Sequence, residues 1–361
     1  MRAFDDLFEF EMMFLEERRI REKLKRSVTV ALAVLTLSLV SSAQNWQAVF
    51  DEGLAQMQAG RNSEAATTFR RANAMHPVPE GYFNLGLALY NLKLYKDAIA
   101  SFREAVKLRP GYAKAHIQLG TALDMTGDYG QALVAYSLAE ELEPSNPTIF
   151  FERARAHQKA GKSSEAIGQF KKAIEVDAKF KPALDGLARL LDDLARSDEA
   201  AIYYQKLIEL DPKNVHAYRQ VGLFHFRAKN YTDAATVIKI ALALDPSDKE
   251  LALSLGAAYF NDRRYQEAAA SYSRAAEIDP KWKQAFLYLA DSLRLLMKFP
   301  DAKAAYLKVL ELDPDSADAL YWLAKIAITE QNFDAARSYH ARLRSVDVKR
   351  AAEILGYLPK R

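Results

Sequence analysis

Histidines and carboxylates are the side chains of this sequence that could bind a metal ion or transfer protons, because the chain has no cysteine. Two histidines four residues apart on a helix can bind zinc, and no two of the six histidines have that spacing. The six are His76, His116, His157, His216, His225 and His340. The lack of cysteine excludes disulfides, thiolate metal sites and a cysteine nucleophile. The sequence therefore predicts no metal site.

The acidic residues also lack a pattern typical of catalysis. Four aspartates precede prolines at regular spacing: Asp211, Asp245, Asp279 and Asp313. This spacing identifies them as the ends of a repeated segment. Adjacent acids such as Asp192 and Asp193 are more typical of a solvated surface than of an acid–base pair. The sequence has no glycine-rich phosphate-binding loop. We therefore expect a protein that is not an enzyme, with no catalytic residues and no cofactor.

Composition narrows the class of protein further. Half of the residues are apolar and 27% are charged, which indicates a folded chain. The chain has only 14 glycines and 12 prolines, and this scarcity favours helices. The net charge is +3, and no basic stripe of the kind found in nucleic-acid-binding proteins is evident. We therefore expect no nucleic-acid partner.

Residues 1–43 have the features of an export signal. Six Lys and Arg residues lie between Arg18 and Arg26, and the apolar segment 28–40 follows. Small residues occupy Ser41 and Ala43. A basic flank, a short apolar core and small residues are typical of a secretory signal. The sequence predicts cleavage after Ala43 and a periplasmic or secreted protein.

Two features of the N-terminus leave alternatives open. Uncharged residues continue to Phe50, so residues 27–43 could instead form an uncleaved anchor in the inner membrane. Such an anchor would be the protein's only membrane contact. The segment Met1–Glu17 is acidic, which is unusual before a signal core. Translation could therefore start at Met12 or Met13.

From residue 46 to 350 the sequence repeats every 34 residues. Prolines recur at this spacing or twice it: Pro110, Pro144, Pro212, Pro246, Pro280 and Pro314. The one gap in that series is Ala178. Alanine forms a second series: Ala98, Ala132, Ala166, Ala200, Ala234, Ala268, Ala302 and Ala336. Several series that hold one phase indicate an array of structural repeats.

The residues within one unit predict a pair of helices. Apolar residues such as Tyr82, Leu85 and Leu89 recur at helical spacing, and a second apolar series follows a short polar turn. Proline then ends the second helix, because it cannot donate the next hydrogen bond. Glycine or alanine on the first helix allows the two helices to approach closely. One hairpin cannot bury both faces, so we expect neighbours to stack into a continuous solenoid.

This pattern resembles the tetratricopeptide repeat, and Tyr82, Leu85, Gly86, Ala98 and Phe102 match its motif. The resemblance implies an all-α, right-handed solenoid of about nine helix–turn–helix repeats, whose first helices line a concave groove. The repeats are expected at 46–78, 79–112, 113–146, 147–180, 181–214, 215–248, 249–282, 283–316 and 317–350. Residues 351–361 are expected to form a capping helix, over 351–358, and a tail.

The resemblance also implies that positions 2, 5, 9, 12 and 13 of each repeat face the groove. Aromatic residues and arginine, which are enriched at interfaces, occupy many of them. The predicted partner-binding residues are Phe83, Tyr90, Phe151, Arg155, Arg189, Arg219 and Phe226. The alternative is that the rings pack on neighbouring helices and the arginines are solvated. Repeats 147–214 depart furthest from the pattern, with Ala178 in place of proline and Arg153 at an apolar position.

These features predict a non-enzymatic scaffold in the cell envelope that binds a peptide or helix of a partner protein in its groove. The alternative is a binding subunit for an envelope glycan, or for the substrate of an associated enzyme. The sequence does not identify the partner.

Overall fold

The computed structural model of the chain describes residues 19, 21–29, 32 and 45–359. Residues 21–29 are helical and exposed. Among the described residues, no helix has the length and apolar character needed to cross a membrane. Most of the predicted signal core 28–40, the cleavage site after Ala43 and the alternative starts at Met12 and Met13 lie outside the described residues.

The fold is an all-α solenoid of helical hairpins, and residues 45–359 contain no strand. The chain forms two compact units, Met1–Asp177 and Ala178–Arg361. In unit 1 the helices are α1 (45–58), α2 (Asn62–Met75), α3 (Pro79–Asn91), α4 (Tyr95–Leu108), α5 (Ala113–Met125), α6 (Tyr129–Leu142), α7 (Pro147–Lys159) and α8 (Ser163–Val176). In unit 2 they are α9 (Lys181–Asp193), α10 (Ser197–Leu210), α11 (Val215–Arg227), α12 (Tyr231–Leu244), α13 (Lys249–Asn261), α14 (Tyr265–Ile278), α15 (Lys283–Leu295), α16 (Phe299–Leu312), α17 (Ala317–Thr329), α18 (Phe333–Val346) and α19 (Val348–Tyr357). The division between the units falls at Ala178, the gap in the proline series.

Local sequence signals set the helix ends. The Asn146 side chain accepts a hydrogen bond from the Thr148 N–H (3.0 Å), and Pro147 is the first helical residue of α7. Helix α4 ends at Leu108, two residues before a proline. Helix α8 ends at Val176 although the equivalent position has no proline. Proline therefore reinforces a helix end that the hairpin already imposes.

Each of the nine hairpin turns contains one residue in the left-handed conformation, at position 15 of the repeat. These are Gly60, Lys93, Gly127, Gly161, Ala195, Lys229, Arg263, Met297 and Gln331, with φ between 57° and 81°. In the turn of the second repeat, the Lys93 N–H donates to the Tyr90 carbonyl (2.8 Å) and the Leu94 N–H donates to the Leu89 carbonyl (2.9 Å). These bonds satisfy carbonyls at the end of the first helix. Six of the nine turns adopt this conformation without glycine, at a steric cost.

The small residues of the first helices lie against aromatic rings of the second helices. The Tyr136 side chain is fully buried, and a Cβ added to Gly120 would lie 2.6 Å from its Cε1 atom. The same contact recurs between Gly86 and Phe102, where the distance would be 2.5 Å. A methyl group there would overlap the ring unless the ring moved. Glycine therefore sets how closely these two helices pack.

Lysine–aspartate ion pairs link the two ends of three repeats in unit 2. The Nζ–Oδ2 distances are 3.3 Å for Lys181–Asp211, 2.6 Å for Lys249–Asp279 and 2.7 Å for Lys283–Asp313. The lysine is the first residue of a repeat and the aspartate precedes its proline. The hydrogen bond from the lysine holds the pKa of Asp279 and Asp313 below the usual range. These pairs are exposed, so each stabilises the fold little.

The C-terminal helix α19 starts at Val348, three residues before the expected start, and contacts α17 as well as α18. Its Ile354 is fully buried. The adjacent Glu353 carboxylate accepts hydrogen bonds from the Tyr321 hydroxyl (2.6 Å) and the Lys325 ammonium (3.2 Å). Helix α19 thus covers α17 as the first helix of another repeat would.

First helices of successive hairpins contact one another in unit 1: α3 contacts α5, and α5 contacts α7. They therefore form one layer, and the second helices pack behind it. We call the exposed surface of α1, α3, α5 and α7 the first-helix face of unit 1.

The contact between glycine and the aromatic ring predicts that a larger side chain lowers the stability of the protein only at the glycines that pack on a ring. Alanine replaces this glycine in other repeats, so valine is the sharper test. Gly120→Val should destabilise the protein by about 1–3 kcal/mol, because it overpacks the contact with Tyr136. Gly168→Val is the matched control, because Gly168 is also helical but has no atom within 4 Å of an added Cβ. The control should be neutral or stabilising by less than ~1 kcal/mol. Thermal melts followed by circular dichroism measure both, and equal melting temperatures would contradict the contact.

The left-handed turns predict a stabilising substitution. Met297 has φ 58° and its side chain is 75% exposed. Met297→Gly should raise the stability by roughly 0.5–1 kcal/mol, because glycine removes the steric cost of that conformation. The converse variant, Gly127→Ala, should lower it by a similar amount because Gly127 has φ 81°. Thermal melts test both, and a lower melting temperature for Met297→Gly would refute the explanation.

Candidate functional site

The predicted groove residues fall in both units. Phe83, Tyr90, Phe151 and Arg155 belong to unit 1, on α3 and α7. Arg189, Arg219 and Phe226 belong to unit 2, on α9 and α11. Arg189 is exposed, and the other six residues are half-buried.

Phe83 and Phe151 take part in a ring contact that recurs within unit 1. The residue at position 5 of the repeat contacts the aromatic residue that packs on the small residue of the first helix. The pairs are Phe50–Phe69, Phe83–Phe102 and Phe151–Phe170, with centroids 5.6, 6.0 and 5.9 Å apart. The Phe83 ring also lies 5.1 Å from that of Tyr112. Both residues therefore have a packing role inside their own hairpin.

Tyr90 and Phe226 take part in a second recurring contact, at the hairpin turn. Position 12 of the first helix meets edge-on an aromatic residue that begins the second helix. The pairs are Tyr90–Tyr95, Phe226–Tyr231 and Phe260–Tyr265, with centroids 5.3, 5.4 and 5.4 Å apart. These contacts explain the aromatic residues at the start of many second helices.

The two arginines of unit 2 are paired with carboxylates. The Arg189 guanidinium contacts Asp185 on the preceding turn of α9, with an Nε–Oδ2 distance of 2.7 Å. Arg219 pairs with Asp248, and with Glu250 at 3.3 Å, so it joins α11 to the start of α13. Arg219 has a structural role, whereas the Arg189 side chain remains 57% exposed.

Three first helices of unit 1 bring five polar side chains together on the first-helix face. We call this group the Asp124 cluster; it consists of Tyr90 on α3, Asp124 on α5, and Glu152, Arg155 and Lys159 on α7. Arg155 Nη1 donates to Glu152 Oε2 at 3.0 Å, and the Lys159 ammonium pairs with Asp124 Oδ2. Because two helices supply the ion pairs and a third supplies the tyrosine, the cluster depends on the stacking of three repeats.

Asp124 is the most buried member of the cluster. The residue is 4% exposed, and its Oδ2 atom pairs with the ammonium of Lys159. No protein group in the described part of the chain donates a hydrogen bond to its other oxygen, Oδ1. A buried carboxylate oxygen without a donor is costly and uncommon in native proteins.

Glu152 lies beside Asp124 in the same low-dielectric surroundings. Burial raises the pKa of its carboxyl above the usual value, Arg155 opposes this shift, and the charge of Asp124 adds to it. Burial also raises the pKa of the Tyr90 hydroxyl, with further increases from Tyr95, Glu152 and Asp124. Tyr90 is therefore neutral at physiological pH.

Tyr136 on α6 is a fully buried residue behind this cluster. The Tyr136 hydroxyl donates to Thr121 Oγ1 at 3.3 Å. Burial raises its pKa, and Glu152 and Asp124 contribute to the increase. Tyr136 also packs on Gly120, so the contact between α5 and α6 holds this ring in place behind the cluster.

The arrangement is suited to binding. It offers paired charges, one aromatic ring and one unpaired acceptor, and none of its members is a histidine or an activated nucleophile. Among the described residues, no group of three or more His, Asp or Glu side chains is placed to hold a metal ion.

The residues predicted from the sequence include two members of this cluster, Tyr90 and Arg155, and leave out Asp124, Glu152 and Lys159. Asp124 and Lys159 occupy positions 12 and 13 of their repeats, within the set expected to face the groove. Reading all charges at those positions, instead of only rings and arginines, would have found them. Glu152 is at position 6, outside that set, so no signal pointed to it.

A family model described as Tetratricopeptide repeat matches the sequence six times, at residues 50–113, 95–147, 151–215, 186–249, 222–281 and 287–346. None of the curated proteins matches the sequence. The six matches to the family model together cover most of the residues in the helical array.

Solved structures with the same fold are distant in sequence. The C-terminal part of a TPR repeat-containing protein from Cytophaga hutchinsonii is 18% identical, with a TM-score of 0.55 over 66% of this chain and 99% of that one. YrrB, described as a TPR protein with an unusual peptide-binding site, is 21% identical, with a TM-score of 0.45 over 51% and 95%. PilF from Pseudomonas aeruginosa is 21% identical, with a TM-score of 0.43 over 59% and 97%. The likeness to the Cytophaga protein shows the fold alone.

The raised pKa of Glu152 predicts a pH-dependent effect of its removal. A carboxyl whose pKa is raised on folding stabilises the protein below its unfolded pKa, and this contribution is lost as the pH rises through the folded pKa. Glu152→Gln should therefore have a higher melting temperature than the wild type at pH 7. The difference should shrink as the pH falls toward about 4, where the unfolded carboxyl titrates. Glu104→Gln, at an exposed Lys107 pair on α4, is the control and should change little at any pH. The prediction would be contradicted if the melting temperature of Glu152→Gln, relative to that of the wild type, were lower at pH 7 than at pH 4.

Proposed function

Because this chain belongs to the tetratricopeptide-repeat family, a family of protein–protein interaction scaffolds, we propose that it is an exported scaffold that binds a segment of a partner protein on its first-helix face. The fold is typically non-catalytic, and we propose no enzymatic activity. The segment would be a peptide or helix held mainly in unit 1.

The Asp124 cluster is the observation that carries this proposal. Ion-paired groups of α5 and α7 lie there, and their charges act on the hydroxyl of the half-buried Tyr90 on α3. Partly desolvated charges beside aromatic rings are typical of interface hot spots. Hairpins alone do not require such a cluster, because equivalent positions in other repeats are apolar, such as Met57 and Phe260.

The structure suggests different roles for the predicted groove residues. The recurring ring contacts of Phe83, Phe151 and Phe226 support the view that these residues set the position of the first helices. Tyr90, Arg155 and Arg189 are the residues we propose to contact a partner directly. This division follows from which side chains lie in a charged cluster or remain exposed.

The proposed location rests on the N-terminal sequence. The basic segment before residue 27, the apolar core 28–40 and the small residues Ser41 and Ala43 favour export with cleavage. We propose a mature chain that starts at Gln44 and resides in the periplasm or outside the cell. An uncleaved anchor at residues 27–43 would place the same repeats at the outer side of the inner membrane.

Capture from an envelope fraction tests the proposal. The chain from Gln44 is immobilised, and bound proteins are identified by mass spectrometry. Arg155→Glu should lower the recovered partner at least tenfold, because it removes the guanidinium that we propose to contact the partner and places a second carboxylate beside Glu152. Arg189→Glu tests unit 2 in the same way.

The matched control is Arg103→Glu, which makes the same charge change on α4, where Arg103 is exposed. It should leave recovery unchanged. Circular dichroism checks that each variant keeps its helices. Equal recovery with Arg155→Glu and Arg103→Glu would contradict the proposal, and so would a retained polysaccharide without a protein. The mass of the N-terminal peptide of the native protein tests cleavage after Ala43.

A further inference from the structure

The cations of the Asp124 cluster are already paired, whereas one of its acceptors is not. Arg155 donates to Glu152, and Lys159 pairs with Asp124 Oδ2. Asp124 Oδ1 is buried and receives no hydrogen bond from the described protein groups. The chemistry that this surface lacks is therefore a hydrogen-bond donor.

The unpaired atom itself favours a donor with positive charge, because a carboxylate oxygen forms its stronger hydrogen bonds with cations. Tyr90 on α3, Tyr136 on α6 and Glu152 on α7 all have raised pKa values, with burial as the largest cause. In each case the charge of Asp124 raises the pKa further and the charge of Arg155 lowers it. Both cations are engaged with carboxylates of the cluster, and neither is a donor to Asp124 Oδ1.

We infer that the Asp124 cluster binds a lysine or arginine side chain of the partner. The ligand cation donates to Asp124 Oδ1 and to the carboxylate of Glu152, beside the ring of Tyr90. Charge-assisted hydrogen bonds of this kind are among the stronger ones in proteins. This inference rests on the proposed function, and it specifies which residue type of the partner the face recognises.

Lys159 competes with the ligand cation for Asp124. Its ammonium is an internal cation that already holds one oxygen of Asp124, and its side chain is 35% exposed. A ligand cation competes with it for the same carboxylate. Lys159 therefore weakens the binding of basic ligands while it keeps Asp124 neutralised in their absence.

Attraction by the whole chain does not explain such binding. The chain has a formal net charge of +3, so a basic peptide is repelled on average. Affinity for a cationic peptide must then come from a local site.

Calorimetric titration of the chain from Gln44 with an acetylated tetra-arginine amide tests the inference. The citrulline peptide is the matched probe, because it keeps the shape and loses the charge. A tetra-lysine peptide distinguishes guanidinium from ammonium recognition. The arginine or lysine peptide should bind at least tenfold more tightly than the citrulline peptide.

Variants separate a binding role from a structural one. Asp124→Asn should weaken binding of the basic peptide at least tenfold. Lys159→Met should strengthen it severalfold, because it removes the internal competitor. Glu104→Gln, whose side chain lies on α4, should bind as the wild type does. Where Asp124→Asn or Lys159→Met fails to fold, Glu152→Gln replaces it and should weaken binding severalfold.

Equal affinity for the arginine and citrulline peptides would overturn the inference, and so would weaker binding by Lys159→Met with its helices intact. Capture of a partner that Arg155→Glu abolishes, without any binding of the basic peptides, would overturn this inference alone. The proposed scaffold would then stand with a different contact chemistry.

Discussion

The contact between a small residue on one helix and an aromatic ring on the next determines how every hairpin in this protein is built. At Gly120 and Tyr136 the backbone of α5 approaches the ring so closely that an added methyl group would overlap it. The ring is held in one place as a result, and so is its hydroxyl, which donates to Thr121. The polar residues of the Asp124 cluster lie on the first-helix face in front of this ring. Interior packing thus fixes where surface charges can meet.

The period of the sequence was sufficient to predict the helices, their pairing and their small contacts, because each signal recurs nearly nine times. Proline, glycine and aromatic positions repeat in phase, so an error at one unit is corrected by the others. The candidate site has no such redundancy. Asp124 occurs once, and its importance comes from burial and from an oxygen without a donor, which only a folded chain displays. The predicted binding roles of Phe83 and Phe151 could not be separated from packing roles in the sequence, because the position they occupy touches both the face and the second helix.

The irregular repeats have a physical explanation in part. Arg153, at an apolar position, pairs with Glu140 across the neighbouring hairpins, and both side chains are mostly buried. Such a pair adds little net stability, but loss of one partner would leave a charge in the interior. Arg153 lies on α7, the helix that also supplies three members of the Asp124 cluster. The departure from the repeat pattern therefore coincides with the helix on which the charged surface is built.

Helix α19 covers the exposed side of the hairpin formed by α17 and α18. It packs on α17 and α18, and Ala351 and Ile354 are buried there, while Leu355 and Tyr357 remain exposed. Pro359 follows almost at once and prevents the helix from continuing. Helix α19 is therefore a single helix that covers the preceding hairpin and still leaves apolar side chains exposed. A second array fused in phase after Arg350, in place of α19, would meet the same surface of α17 and α18, so this position is suited to extending the scaffold by design.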